Sequence, residues 1–179
     1  GVRTVNYKPH HESSKDAYGL SKIWENATGT GYGAALAAKK LEKEHGFLPD
    51  IVIGHTGWGE LLFFKEFWPD VPILGFFEYY YRMKGGIVGF DPDEPVSDVA
   101  PYMMFARNAV PFASIQTVDL GHVPTAWQKN TFPDSFHDKF YVCHDGIRTD
   151  QLLTNPNASL SLSRLDQPVT HKDEVFTYL

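Results

Sequence analysis

The sequence predicts an α/β domain built on a mainly parallel sheet, and three observations carry that expectation. Ile51 to Ile53 is an unbroken apolar run, which suits a strand buried on both faces. A second such run, Val71 to Phe77, follows an apolar helical stretch (Leu61, Leu62, Phe63, Phe64, Phe67, Trp68) that Pro69 stops. Polar and aromatic residues come directly after each run, His55 to Glu60 after the first and Glu78 to Arg82 after the second. Two strands joined by a helix make a βαβ unit, whose crossover is nearly always right-handed. Both polar clusters then lie beyond the carboxyl ends of parallel strands, where open α/β sheets bind ligands.

The totals bound the rest. A chain of 179 residues, 42% apolar and 21% charged, can bury a core as one domain, or as one domain and part of another. A formal charge of -6 argues against a sequence-independent nucleic-acid binder, which needs a basic stripe. A single cysteine, Cys143, excludes an internal disulfide framework and fits a reducing compartment. No apolar stretch approaches the ~20 residues of a membrane-spanning helix. The expected location is the cytoplasm, or the inner face of a membrane as a peripheral protein. The chain begins and ends in strand-like text without an initiator methionine, so it reads as a piece of a longer protein.

Taken in order, Val2 to Tyr7 is a strand candidate, and His10 and His11 follow in a loop without a third metal ligand beside them. Leu20, Ile23, Trp24, Ala27, Gly31, Ala34, Ala38 and Leu41 form one helical stripe. The spacing predicts that this helix ends near Glu44, with Gly46 as a left-handed cap and Pro49 beyond. Gly29 to Ala34 satisfies the dinucleotide pattern G-x-G-x-x-A, but helical text precedes it where the fingerprint needs a strand. Close helix packing is therefore the favoured reading of these glycines.

Asp91-Pro92-Asp93-Glu94-Pro95 reads as an exposed acidic turn, with a divalent-cation motif as the rival. Ser97 or Asp98 can cap the next helix, whose stripe is Tyr102, Phe105, Ala106, Ala109 and Val110. Pro111 is placed to kink that helix, and Arg107 and Asn108 lie off its stripe. Leu120 to Val123 is a short strand candidate, Pro124-Thr125 opens a brief helix, and Phe140 to Cys143 reads as another buried strand. From Asn155 the pattern changes to two alternating stretches, Ala158 to Leu162 and Val175 to Leu179. That predicts a β-hairpin or connecting segment over 155–179, after a domain covering 1–154.

Several of these stretches resemble a known family. His-Thr-Gly-Trp-Gly-Glu after Asp-Ile-Val-Ile is similar to the His-Pro-Gly-Trp-Gly-Glu of a bacterial branch of family-4 glycosyltransferases. Phe-Phe-Glu-Tyr-Tyr-Tyr-Arg, Gly-Phe-Asp-Pro, Ala-Arg-Asn-Ala, Pro-Thr-x-Trp-Gln and His-Asp-Gly-Ile-x-Thr-Asp follow in the family's order, across about residues 47 to 154. The resemblance implies the two-Rossmann-domain (GT-B) architecture, with the active site between domains. This chain would be the Rossmann-like, three-layer amino-terminal domain on the acceptor side, lacking its first βα unit and followed by a carboxyl-terminal domain. The implied activity is retaining transfer of a sugar from a nucleoside-diphosphate donor to a hydroxyl acceptor, a glycan or lipid-linked glycan. It implies no cofactor and no metal, and this piece alone would be inactive. Thr56 departs from the family's proline.

The diphosphate leaving group needs stabilisation of developing charge, which backbone N–H groups at a helix start can supply. Gly57 and Gly59 allow close backbone approach there, and Glu60 opens the helix. His55 is a donor candidate and Trp58 a candidate for sugar stacking or for the core. Glu78 is the carboxylate placed to orient the acceptor hydroxyl or take its proton, or else to pair with Arg82. Tyr79, Tyr80 and Tyr81 should divide between core and cleft. Thr125 and Gln128 begin a helix near the same rim, where capping explains Thr125 equally well. His144, Asp145 and Gly146 resemble the family's turn towards the second domain. The rivals are a non-catalytic carbohydrate- or partner-binding α/β module and a metal-dependent transferase using Asp91 and Asp93.

Overall fold

In the computed structural model, residues 2–175 are described, in two compact units that divide after His144 rather than after residue 154. The first unit holds a four-stranded, all-parallel sheet in the order β1 (Val52–His55), β2 (Ile73–Phe76), β3 (Leu120–Val123), β4 (Phe140–Val142). Parallel strands need long crossovers, and here the intervening segments supply them. A 3₁₀ helix, Glu60–Glu66, joins the first pair. Helices α2 (Ala100–Arg107) and α3 (Ala109–Thr117) join the second, and α4 (Ala126–Thr131) with a 3₁₀ turn joins the third. The predicted βαβ unit is therefore present, with its connecting helix wound as 3₁₀.

The chain advances one strand at a time in one direction. Right-handed crossovers then place every connection on the same face. The core shows this: Leu61, Ile115, Val118, Phe132 and Phe136 from the connections pack with Ile73, Phe77, Val123 and Phe140. Each fully buried large side chain of this kind contributes about 1.5–3 kcal/mol relative to exposure. On the opposite face Ile53 is 66% exposed and Tyr141 63%, so the expectation of a first strand buried on both sides is not met.

Helix α1 (Gly19–His45) precedes the sheet and matches its predicted span. It closes on Gly46 at φ 63°, whose N–H reaches the Glu42 carbonyl, with Lys43 and His45 complementing the helix dipole in the last turn. Its glycines serve packing. A Cβ on Gly29 or Gly33 would collide with the backbone of His11 or Lys8, and one on Gly31 with the Gly59 carbonyl. The amino-terminal segment thus lies along the helix, with the His10 N–H bonded to the Gly29 carbonyl at 2.9 Å. Val2 to Tyr7 is accordingly no strand, because its neighbour is a helix with nothing to pair against.

The predicted single helix after Ser97 is two. The break falls at Asn108, three residues before Pro111, because a proline cannot continue the bond to the turn before it and is tolerated only in the first turn of a new helix. Val99, not Ser97 or Asp98, stands at the amino end of α2, with no side-chain cap. Tyr102 and Phe105, expected in the core, are 64% and 82% exposed, while Val110 is fully buried. In the second unit, β5 (Ser159–Leu160) and β6 (Val169–Thr170) form a short antiparallel hairpin. Val175 is exposed there, and the rest of the stretch expected to pair, 176–179, lies outside the described residues.

Candidate functional site

Where β1 and β2 end, the first unit opens into a cleft of ≈ 810 Å³. The parallel register sets His55 beside Phe76, so the residues that follow each strand meet at one rim. His55 Nδ1 accepts the Gly57 N–H at 2.9 Å, which leaves Nε2 to carry the proton in the neutral ring. That Nε2–H faces Glu78 Oε2 at 3.3 Å. Glu78 therefore pairs with His55 and not with Arg82. Its carboxylate is 63% exposed and His55 is 30% exposed, so the pair presents an oriented carboxylate to the cleft.

Thr56 anchors this arrangement. It is 2% exposed, and both its N–H and its hydroxyl donate to the Phe76 carbonyl, at 3.1 and 2.9 Å. A proline could make neither bond, so the departure from the family's residue adds one more rung between β1 and β2. The Ser114 hydroxyl of α3 donates to the Thr56 carbonyl, fixing the turn from the other side.

The glycines of the following turn serve contacts within the protein. The Gly57 N–H is committed to His55, and a Cβ at Gly57 would meet that ring. Gly59, at φ 101°, is pressed against the Ala27 backbone of α1. Both permit contacts within the protein, and Gly57 also lines the cleft, whereas Gly59 is buried. Trp58 is 67% exposed at the cleft, which removes it from the core, and its ring lies 6.0 Å from that of His55.

Glu60 lines the cleft and accepts from the Tyr7 hydroxyl at 3.2 Å; its other carboxylate oxygen is buried and has no hydrogen-bond partner. Burial first, then the charge of Glu60 and this bond, push the Tyr7 phenol up to about 12. The three tyrosines divide between cleft and core, and Tyr80, a binding candidate, falls on the core side. Tyr79 and Tyr81 line the cleft with their rings edge to face, 5.2 Å apart. Tyr80 turns inward onto Phe132, where burial raises its phenol's pKa against the pull of Arg82.

Within the first unit, Arg82, Thr125 and Gln128 fall outside the cleft. Arg82 donates to the Phe132 carbonyl at 2.9 Å and does not line the cleft. Thr125 caps α4: its hydroxyl accepts from the Gln128 N–H and donates to the Gln128 side chain. Neither of these two reaches the cleft, and Tyr79 instead stacks on Trp127 at 5.7 Å. His144 closes the first unit. Asp145 and Gly146 begin the second, with Gly146 at φ 83°. Asp91 accepts from the Asp93 N–H in a local turn, and no group of three metal-ligating side chains occurs among the described residues.

Sequence reasoning passed over Tyr7, Asn26, Thr30 and Arg107, all of which line the cleft. Arg107 lies off the α2 stripe, and its guanidinium stands 5.2 Å from the Tyr81 ring centroid. Asn108 fixes the other partner of that contact: 6% exposed, it bonds both the N–H and the C=O of Tyr81 at 2.8 Å. The pairing of off-stripe polar residues in Ala-Arg-Asn-Ala was the available signal. No helix of the described residues is long and apolar enough to cross a membrane.

The model of the glycosyl transferase family 4 group matches residues 1–152, a span that contains the whole cleft. No curated protein and no solved structure matches the chain. With that match over most of its length, and a parallel α/β unit carrying a polar cleft at the carboxyl ends of its strands, the chain belongs to the glycosyl transferase family 4 group.

Proposed function

We propose that the cleft is the acceptor side of a retaining glycosyltransferase that uses a nucleoside-diphosphate sugar as co-substrate. The observation that carries this reading is the His55–Glu78 pair, a carboxylate held at the end of β2 by the His55 Nε2–H and turned into the cleft. In the transfer, the acceptor oxygen bonds to the anomeric carbon as the bond from that carbon to the diphosphate breaks. The hydroxyl proton ends on the departing diphosphate. Glu78 accepts the hydrogen bond of the acceptor hydroxyl and so aims its lone pair, while His55 keeps the carboxylate in place. Trp58 and Tyr79 offer ring faces to the sugar. A carboxyl-terminal domain of the same protein would complete the donor side, so this piece by itself would show negligible turnover. The reading assigns no resident cofactor or metal, and a cytoplasmic or peripheral inner-membrane setting suits an acceptor that is a glycan or lipid-linked glycan.

The test is transfer by the full-length protein carrying His55→Ala or Glu78→Ala. Each should lower the rate by about tenfold or more with unchanged melting of the domain. Wild-type rates in both variants discard the assignment and leave a non-catalytic binding module.

A further inference from the structure

Arg107 brings to the cleft a positive charge that no carboxylate answers among the described residues. Of the cleft's two carboxylates, Glu60 accepts from the Tyr7 hydroxyl and keeps its second, buried oxygen unpartnered, and Glu78 meets the His55 ring. Arg107 is the sole lysine or arginine among the lining residues, and it makes no ion pair among the described residues. It is not a loose surface cation, because its platform is fixed. The guanidinium lies over Tyr81, whose backbone Asn108 grips on both sides, and Tyr79 braces the Tyr81 ring. Three other cations of the unit are spent on the fold: Lys65 on Asp119, Lys139 on the Ile115 and Val118 carbonyls, Arg82 on the Phe132 carbonyl. A guanidinium can stack on an aromatic face and still offer a fork of donors matched to a carboxylate or phosphate.

We propose that Arg107 recognises an oxyanion on the acceptor, so that the acceptor is an acidic sugar bearing a carboxylate or phosphate. This rests on the reading of the cleft as the acceptor side, since Arg107 shares it with Glu78. The other source of an oxyanion, the donor diphosphate, is a distinct outcome of the test.

Titration calorimetry or NMR on the protein would compare glucuronate, glucose 6-phosphate, glucose and inorganic pyrophosphate as probes. The acidic sugars should bind about tenfold or more tightly than glucose, Arg107→Gln should erase that preference, and Arg107→Lys should restore only part of it. Arg107 is exposed, so both variants should melt like the wild type. A preference absent in the wild type, or undiminished in Arg107→Gln, overturns the proposal. So does sensitivity to Arg107 confined to pyrophosphate, which would give the residue to the donor. An acidic-sugar preference lost in Arg107→Gln, alongside wild-type transfer in Glu78→Ala, would keep the anion site and discard the catalytic reading.

Discussion

Replacing Gly31 by alanine sets helix propensity against packing, and the structure decides the sign. Alanine in a helix interior is favoured over glycine by about 1 kcal/mol. At Gly31, however, the new Cβ would stand 3.2 Å from Phe63 Cδ2, 3.3 Å from the Gly59 carbonyl carbon and closer still to that carbonyl's oxygen. The oxygen belongs to a backbone that cannot step aside cheaply, because Gly59 is itself wedged against Ala27 at φ 101°. Overpacking of this kind costs about 1–3 kcal/mol, and a backbone obstacle argues for the upper end. The net loss is then about 2 kcal/mol, or roughly 4–8 °C in melting temperature for a unit of this size. Gly19→Ala is the control: nothing lies within 4 Å of its Cβ, so propensity alone acts and stability should hold or rise. Thermal denaturation followed by circular dichroism measures both. A Gly31→Ala protein that melts at or above the wild type would refute the packing argument.

Asn108→Ala should destabilise by about 2 kcal/mol, because it strips partners from the Tyr81 N–H and C=O together; an unchanged urea midpoint would contradict this. Tyr7 supplies a pH signature. Its folded pKa of about 12 lies above the ordinary 10.0, so its contribution is present below pH 10 and is lost as pH rises towards 12. Urea midpoints of the wild type should therefore converge on those of Tyr7→Phe across that window, and parallel curves would count against the Tyr7–Glu60 bond.

The local rules of the chain were largely legible. Gly46 announced the end of α1, Pro69 the end of the helix after β1, and the apolar runs gave all four strands of the parallel sheet. Because parallel strands carry their carboxyl ends to one rim, His55 and Glu78 could be brought together from sequence despite lying 23 residues apart. What stayed hidden depends on partners that periodicity cannot see. An apolar triplet does not say whether both its sides are covered, so Ile53 was expected inside and is exposed. Arg107 meets Tyr81 only because Asn108, breaking the helix, ties that backbone down. Tyr7 reaches Glu60 across 53 residues by lying along a helix, an arrangement with no local signature.

The glycine stripe of α1 makes that helix a two-sided mould. One side receives the segment that carries Tyr7 and Pro9, and the other receives the turn that carries Trp58 and Glu60. Opposite walls of one opening are thus cast from the same few turns, without passing through the sheet. Residues 2–12 are exposed throughout, apart from the hydrophobic interior. For engineering, rewriting the exposed side chains of this segment would reshape what the opening admits, provided the Tyr7–Glu60 bond and the docking on α1 are kept.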